Sequence, residues 1–389
     1  MSSVLAGLAV PMRLPRLRYG ADSALLLAVG ALLLWGLIMV VSASVAHAEK
    51  DYQDPYYFFW RQLVFIGLGG MVAFALYCLP MRLWEQSGWL LLGFALMLLV
   101  LVLIPGIGVE VNYSRRWLNL PGIRVQASEP ARLALIMYLA GYIVRRQLDV
   151  QHSFKGLAKP VLLLVVPAVL LLAEPDFGAT AILFGVAFLM LFMGGAPVTY
   201  YLGLTSLAAV GLAAVAMMES YRMRRILSFT DPWADVENGG WQLAQSLIAV
   251  GRGEWTGVGL GNSVQKLLYL PEMHTDFIFA ILAEEFGLFG VVALLALFAV
   301  VIWRGFAIAR AAEQREARFS AYLCYGLTGW IGLQALINLC VNMGLLPTKG
   351  LTLPLMSYGG SSLITVLAMI GLILRVDHEN RASAKERVR

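Results

Sequence analysis

A succession of uncharged, apolar runs, each long enough to cross a bilayer, leaves few folds open to this chain. A hydrocarbon core of about 30 Å takes roughly 20 apolar residues in a helix. Inside it, every backbone N–H and C=O must find a partner within the protein. Residues 24–44, 62–79, 87–104, 319–346 and 350–374 meet that length directly. Residues 177–218 are too long for one crossing and are interrupted by Gly194-Gly195-Ala196-Pro197, so they read as two helices joined by a tight turn. Segments at 133–144, 161–173 and 277–303 complete the set. The expectation is an all-α integral membrane protein of ten transmembrane helices, with a large periplasmic loop at 219–275 between helices 7 and 8. Residues 1–23 and 375–389 are expected as N- and C-terminal tails flanking one membrane domain at 24–374.

Composition agrees: 60% of the 389 residues are hydrophobic and only 14% are charged. Cys78, Cys324 and Cys340 lie in apolar runs without ligand spacing, so neither disulfides nor structural zinc are expected. The net charge of +5 is explained by cations flanking the apolar segments rather than by nucleic acid. Assigning the tails and alternate loops to the cytoplasm collects 17 of the 29 Lys and Arg there, which predicts both termini inside. Nine of the 12 outer cations fall within 109–132 and 219–276, two surfaces unusually basic for translocated segments. Ala46-His47-Ala48 resembles a cleavage site, but the preceding run is longer than a usual signal segment, and it is read as a retained helix.

The long polar stretch 219–276 closes with His274-Thr275-Asp276-Phe277-Ile278-Phe279, which delivers one carboxylate to the mouth of an apolar helix. An ionisable group at that depth is a functional candidate. Apolar neighbours are expected to raise its pKa toward the range of a general base, whereas the plainer reading is a helix-capping aspartate. Farther along the helix, Glu284 and Glu285 need partners, and a buried ion pair or hydrogen-bond anchor fits them as well as catalysis does. Arg115-Arg116-Trp117 offers guanidinium forks suited to phosphate. Lys349 stands alone among apolar residues and could bind an anion or snorkel from a helix end. Glu129 and Arg132 are spaced to pair with each other. Ser357 opens a Gly- and Ser-rich run suited to close helix contact. Gly257-Val258-Gly259-Leu260-Gly261-Asn262 lacks the spacing of a dinucleotide loop, so nucleotide binding is rejected.

These residues bring a known family into view. Ser114-Arg115-Arg116-Trp117, Gln126-Ala127-Ser128-Glu129, Glu174-Pro175-Asp176-Phe177-Gly178, Glu219-Ser220-Tyr221-Arg222, Asp231-Pro232-Trp233, residues 274–279 and the run from Asn342 through Lys349 to Ser361 resemble the SEDS proteins (shape, elongation, division and sporulation), the group of FtsW, RodA and SpoVE. Residues 259–266, followed by Tyr269-Leu270-Pro271-Glu272, are similar to the FtsW branch. Ala127 departs from the family's usual Pro, and Arg132 from its frequent Lys.

The resemblance implies a peptidoglycan glycosyltransferase of the bacterial inner membrane. It would polymerise lipid II at the division septum, in cell wall biogenesis and cell shape, with a class B penicillin-binding protein transpeptidase and other divisome membrane proteins as partners. It carries the catalytic aspartate onto Asp276 and substrate binding onto Arg116, Lys349 and Glu219, with Glu129, Arg222 and Ser357 as weaker candidates. A divalent cation such as Mg2+ could assist at the diphosphate, although no dedicated ligand cluster is visible. Two rivals from other classes are a lipid II flippase and a noncatalytic divisome scaffold.

Overall fold

A computed structural model describes residues 21–111, 114–120, 123–218, 228–234 and 240–387. Seven of its described helices are long and apolar enough to cross a membrane: α1 (Ser23–Tyr52), α2 (Tyr57–Cys78), α7 (Phe154–Ala173), α9 (Val198–Met218), α11 (Ile278–Glu313), α12 (Arg318–Asn342) and α13 (Gly360–Arg387). The apolar α4 (Gly88–Leu103) and α8 (Phe177–Met193) are shorter, and α5 (Ser128–Arg145) lies where a further span is expected. Short helices α3 (Met81–Gln86), α6 (Gln147–His152) and α10 (Trp241–Gly253) join them. The protein is a multi-pass membrane protein. Large side chains such as Leu27, Met71, Leu90, Leu162 and Leu207 point outward, as a lipid-facing surface requires. Many of the buried polar side chains lie on α12 and α13, with smaller groups on α5 and α11. Helix α13 continues past residue 374 to Arg387, so the segment expected as a tail begins as helix. There Asp377 and Arg381 join Asp22 and Arg304 in a charged knot that fastens the start of α1 to α11 and α13.

The all-helical expectation needs one correction. Between α4 and α5 the chain forms an antiparallel sheet of β1 (Gly108–Val111), β2 (Ser114–Leu120) and β3 (Ile123–Gln126), in the order β1-β2-β3. In β1 and β3, Val and Ile alternate with Glu, Arg and Gln, a period of two that suits half-buried strands. Trp117 sits between Val109 on one side and Gln126 on the other. Strands of four to seven residues are too short to register in a search for membrane spans.

The second unexpected feature is a break in α11. Gly287 has φ +61° and ψ −160°, which no helix tolerates. In an unbroken helix the N–H groups of Leu288 and Phe289 would donate to the carbonyls of Glu284 and Glu285. Instead they donate to Glu254 and Trp255, at 2.9 and 3.2 Å. The freed carbonyls of Glu284 and Glu285 accept from Val258 and Gly259, each at 3.0 Å. Two chain segments thus exchange their helical hydrogen bonds, and all four buried groups stay satisfied. Only glycine allows the approach: a Cβ on Gly257 would lie 2.1 Å from the Glu285 carbonyl oxygen, and one on Gly287 would lie 2.4 Å from the Gly257 nitrogen. The spaced glycines that resemble a nucleotide loop are therefore a docking surface for a broken helix.

Side chains lock the same joint. Glu285 accepts from Lys266 at 3.0 Å and from Ser42 of α1 at 2.7 Å. Glu284 accepts from Arg252 at 3.2 Å and from the Val264 N–H at 3.1 Å. Both glutamates are anchors, and the upper half of α11 travels with the polar loop before it. Replacing Gly257 with Ala should destabilise the protein by more than about 2 kcal/mol through clash and strained φ. Gly251→Ala, whose Cβ meets open space, should not. Melting temperatures of the two variants in the same detergent check this.

Candidate active site

Helix α12 carries Trp330, Gln334, Asn338 and Asn342 at four-residue intervals, so all four fall along one face. That face works as a polar clamp. The Asn338 amide donates to the Asp276 carbonyl at 2.8 Å and to the Leu351 carbonyl at 2.6 Å. Asn342 donates to the same Asp276 carbonyl at 3.0 Å, and Gln334 to the Thr352 carbonyl at 2.9 Å. The turn holding Asp276 and the loop holding Lys349 are thereby fixed to one rigid element. Asp276 lies two residues before α11 begins, and it is half-buried. A Cβ added to Gly350 would lie 3.2 Å from Asp276 Oδ2, so the carboxylate rests on the backbone beside Lys349. A side chain there would make the carboxylate give by a few tenths of an ångström.

Lys349 Nζ lies 4.0 Å from the centroid of the Phe177 ring, a cation–π contact at the first residue of α8. Phe177 belongs to the loop Glu174-Pro175-Asp176-Phe177-Gly178, on which the hairpin also closes. Arg116 Nε donates to the Glu174 carbonyl at 3.0 Å and its Nη2 to the Pro175 carbonyl at 2.5 Å. Ser114 Oγ donates to the Glu174 carbonyl at 2.6 Å. Asp176 caps α8 by accepting from the Ala179 N–H at 3.0 Å, and it accepts from Gln126 and Ser128 at 3.2 and 3.3 Å. Strand periodicity separates the two arginines of the hairpin. Arg115 pairs with Glu110 at 3.1 Å in solvent, while Arg116, on the other face, turns to the loop.

The remaining expected residues sit as follows. Glu129 and Arg132 form a buried pair at 2.5 Å, and Arg132 also stacks on Trp330 with its guanidinium carbon 4.5 Å from the ring centroid. Ser357 is buried and closes a turn, its Oγ accepting from the Leu353 N–H at 2.8 Å. Glu219 and Arg222 lie outside the described residues. Among the described residues, no three His, Cys, Asp or Glu side chains converge as a metal site would require. The structure thus places the Asp276 carboxylate beside Gly350, the neighbour of Lys349, and links Lys349 to Arg116 through the 174–178 loop. Residue-level reading of the sequence assigned no role to that loop or to the asparagines. The four-residue spacing of polar side chains on an apolar helix was the signal that could have found the clamp.

His274 shares the Asp276 turn. Its carbonyl accepts from the Tyr358 N–H at 2.9 Å, and its ring packs against Phe58 at 4.4 Å and His47 at 5.5 Å. Burial, helped by His47 and opposed by Glu272, pushes the imidazole down to about 4.

A family model described as "Cell cycle protein", for FtsW, RodA and SpoVE, matches residues 23–382. The chain belongs to the FtsW/RodA/SpoVE family. This member is 55% identical over 360 residues to a protein of Nitrosococcus halophilus named "Probable peptidoglycan glycosyltransferase FtsW", covering 92% of this chain and 93% of that one. A protein of Legionella pneumophila with the same name is 49% identical over 360 residues, covering 92% and 91%. Among solved structures, one reported under "Structural coordination of polymerization and crosslinking by a peptidoglycan synthase complex" superposes with a TM-score of 0.76 at 32% identity, covering 93% of this chain and 98% of that one. The rod shape determining protein RodA of Thermus thermophilus superposes with a TM-score of 0.68 at 32% identity, with the same coverage.

Two expectations follow for this FtsW/RodA/SpoVE protein. Asn338→Leu removes the Leu351 carbonyl's side-chain donor and one of the two on the Asp276 carbonyl. It should lower thermal stability by about 1–3 kcal/mol and activity by more than tenfold, read by melting temperature and polymer yield. The depressed His274 means that the folded state resists protonation. Stability should therefore hold above about pH 6.5 and fall as pH drops from there toward about 4. His274→Phe should flatten that acid loss in melting curves across the range.

Proposed function

We propose that the chain is a peptidoglycan glycosyltransferase that polymerises lipid II into glycan strands at the division septum, with Asp276 as general base. The observation that carries this reading is the Asp276 carboxylate resting on Gly350, beside Lys349, on a turn clamped by two buried asparagines. Asp276 takes the proton from a sugar 4-hydroxyl of one lipid-linked disaccharide, and the oxygen attacks the anomeric carbon of the growing strand. The bond from that carbon to the diphosphate breaks with inversion, and the lipid diphosphate leaves with the electron pair. Lys349 and Arg116 stabilise the developing negative charge from fixed positions. Membership in the family, and relatives named peptidoglycan glycosyltransferases at about half identity over nearly the whole chain, support the substrate class.

Ten helices cross the inner membrane in this reading, with both termini cytoplasmic and residues 219–275 periplasmic, where the substrate headgroup lies. A class B penicillin-binding protein is the crosslinking partner, in keeping with the likeness to a structure titled for polymerisation and crosslinking by one complex. Purified protein with that partner and lipid II should make glycan polymer. Asp276→Asn should slow it at least about 100-fold, and Lys349→Ala about 100-fold, with melting temperatures unchanged. Wild-type rates from Asp276→Asn would sink the base assignment. Lipid II crossing vesicles without any polymer would favour a flippase.

A further inference from the structure

The 174–178 loop holds a group that the mechanism does not use. The Glu174 side chain is fully buried, and neither carboxyl oxygen has a hydrogen-bond partner. The nearby hydrogen bonds run to other acceptors, and Arg132 Nη1, itself buried without a partner, makes none to Glu174. Arg116 donates to the main-chain carbonyls of Glu174 and Pro175, although its charge bears on the Glu174 carboxyl. Arg132 is held by Glu129 and by the Ser128 carbonyl. Gln126 and Ser128 donate to Asp176. The titratable and charged groups facing Glu174 are Asp176 on its own loop, Arg116 on β2 and Arg132 on α5, with Glu129 of α5 next to Asp176. A carboxylate with no donor and another acid beside it costs far more to bury than the neutral acid does.

We propose that Glu174 is a positioning residue that carries a proton: as the neutral acid it packs behind Arg116 without drawing the guanidinium into an ion pair, and so leaves that positive charge for the departing diphosphate. Among the described residues, Arg116 makes no ion pair with any carboxylate. The guanidinium is oriented by two carbonyl dipoles, which fix its direction without cancelling its charge. Burial and the neighbouring Asp176 push Glu174 up to about 9, outweighing Arg116 and Arg132. At neutral pH the proton therefore stays on. Above about pH 9 it leaves, and the new carboxylate competes with substrate for Arg116. The inference rests on the reading of Arg116 as a diphosphate-binding cation, and it implies an alkaline limit to activity set by a residue that touches no substrate.

The test compares full-length wild type, Glu174→Gln and Glu174→Asp in lipid nanodiscs. Infrared spectroscopy should find a protonated-carboxyl band in wild type at about pH 7 that disappears in Glu174→Gln and fades in wild type as pH passes about 9. With lipid II and the partner, Glu174→Gln should keep kcat/KM within about twofold of wild type at about pH 7.5. It should also keep that value as pH rises through about 9, where wild type falls several-fold. Glu174→Asp, shorter but still titratable, should retain an alkaline limb. A wild-type spectrum without the band, or an alkaline limb that survives in Glu174→Gln, overturns the proposal. So does a tenfold loss in Glu174→Gln at about pH 7.5 with an unchanged melting temperature. If no variant polymerises, wild type included, the glycosyltransferase reading fails, and the infrared band still decides the state of Glu174.

Discussion

The exchange of backbone hydrogen bonds between the break in α11 and residues 254–259 is the constraint on which the rest of the site depends. A helix interrupted within the membrane strands four polar groups, and each left without a partner would cost several kcal/mol. The polar loop supplies those partners in register, with Gly257 and Gly287 allowing the two backbones to meet. The half-helix that follows Asp276 then belongs mechanically to the loop, while the lower half of α11 belongs to the bundle. Lys266, Arg252, Ser263 and Ser42 close around Glu284 and Glu285 and hold the joint from its sides.

A second layer of organisation is the short loop Glu174-Pro175-Asp176-Phe177-Gly178. One end receives Arg116 and Ser114 from the hairpin, and the middle caps α8 through Asp176. The far end presents the Phe177 ring to Lys349 and the Gly178 backbone to Leu351. Two cations separated by more than 200 residues in sequence are thus registered against one rigid connection. Carbonyl dipoles set the direction of Arg116, and the Phe177 ring face packs against Lys349.

Much of the helical frame was legible in the sequence, because apolar run length is a local property and the bilayer fixes what length suffices. Reading Glu129 and Arg132 as a structural pair followed from their spacing alone. The three-stranded sheet carries little local signal, because its strands are short and the longest, β2, puts like residues side by side at Arg115-Arg116 and Trp117-Leu118. Arg115 and Arg116 looked equivalent as neighbours, yet the pleat sends them to opposite faces. The glycines of 257–261 were legible as unusual, but not as partners for Gly287, since nothing local links them.

By itself, the sequence determined that most of the chain is apolar helix, that one carboxylate stands at the start of such a helix, and that the surrounding polar segments are basic. Only the tertiary structure decided which buried polar groups meet. Asn338 reaches the Asp276 carbonyl across 62 residues, Arg116 the Glu174 carbonyl across 58, and Ser42 the Glu285 carboxylate across 243. Hydrophobic length is counted along the chain and needs no partner. A buried hydrogen bond needs a donor and an acceptor whose meeting depends on how every intervening helix packs.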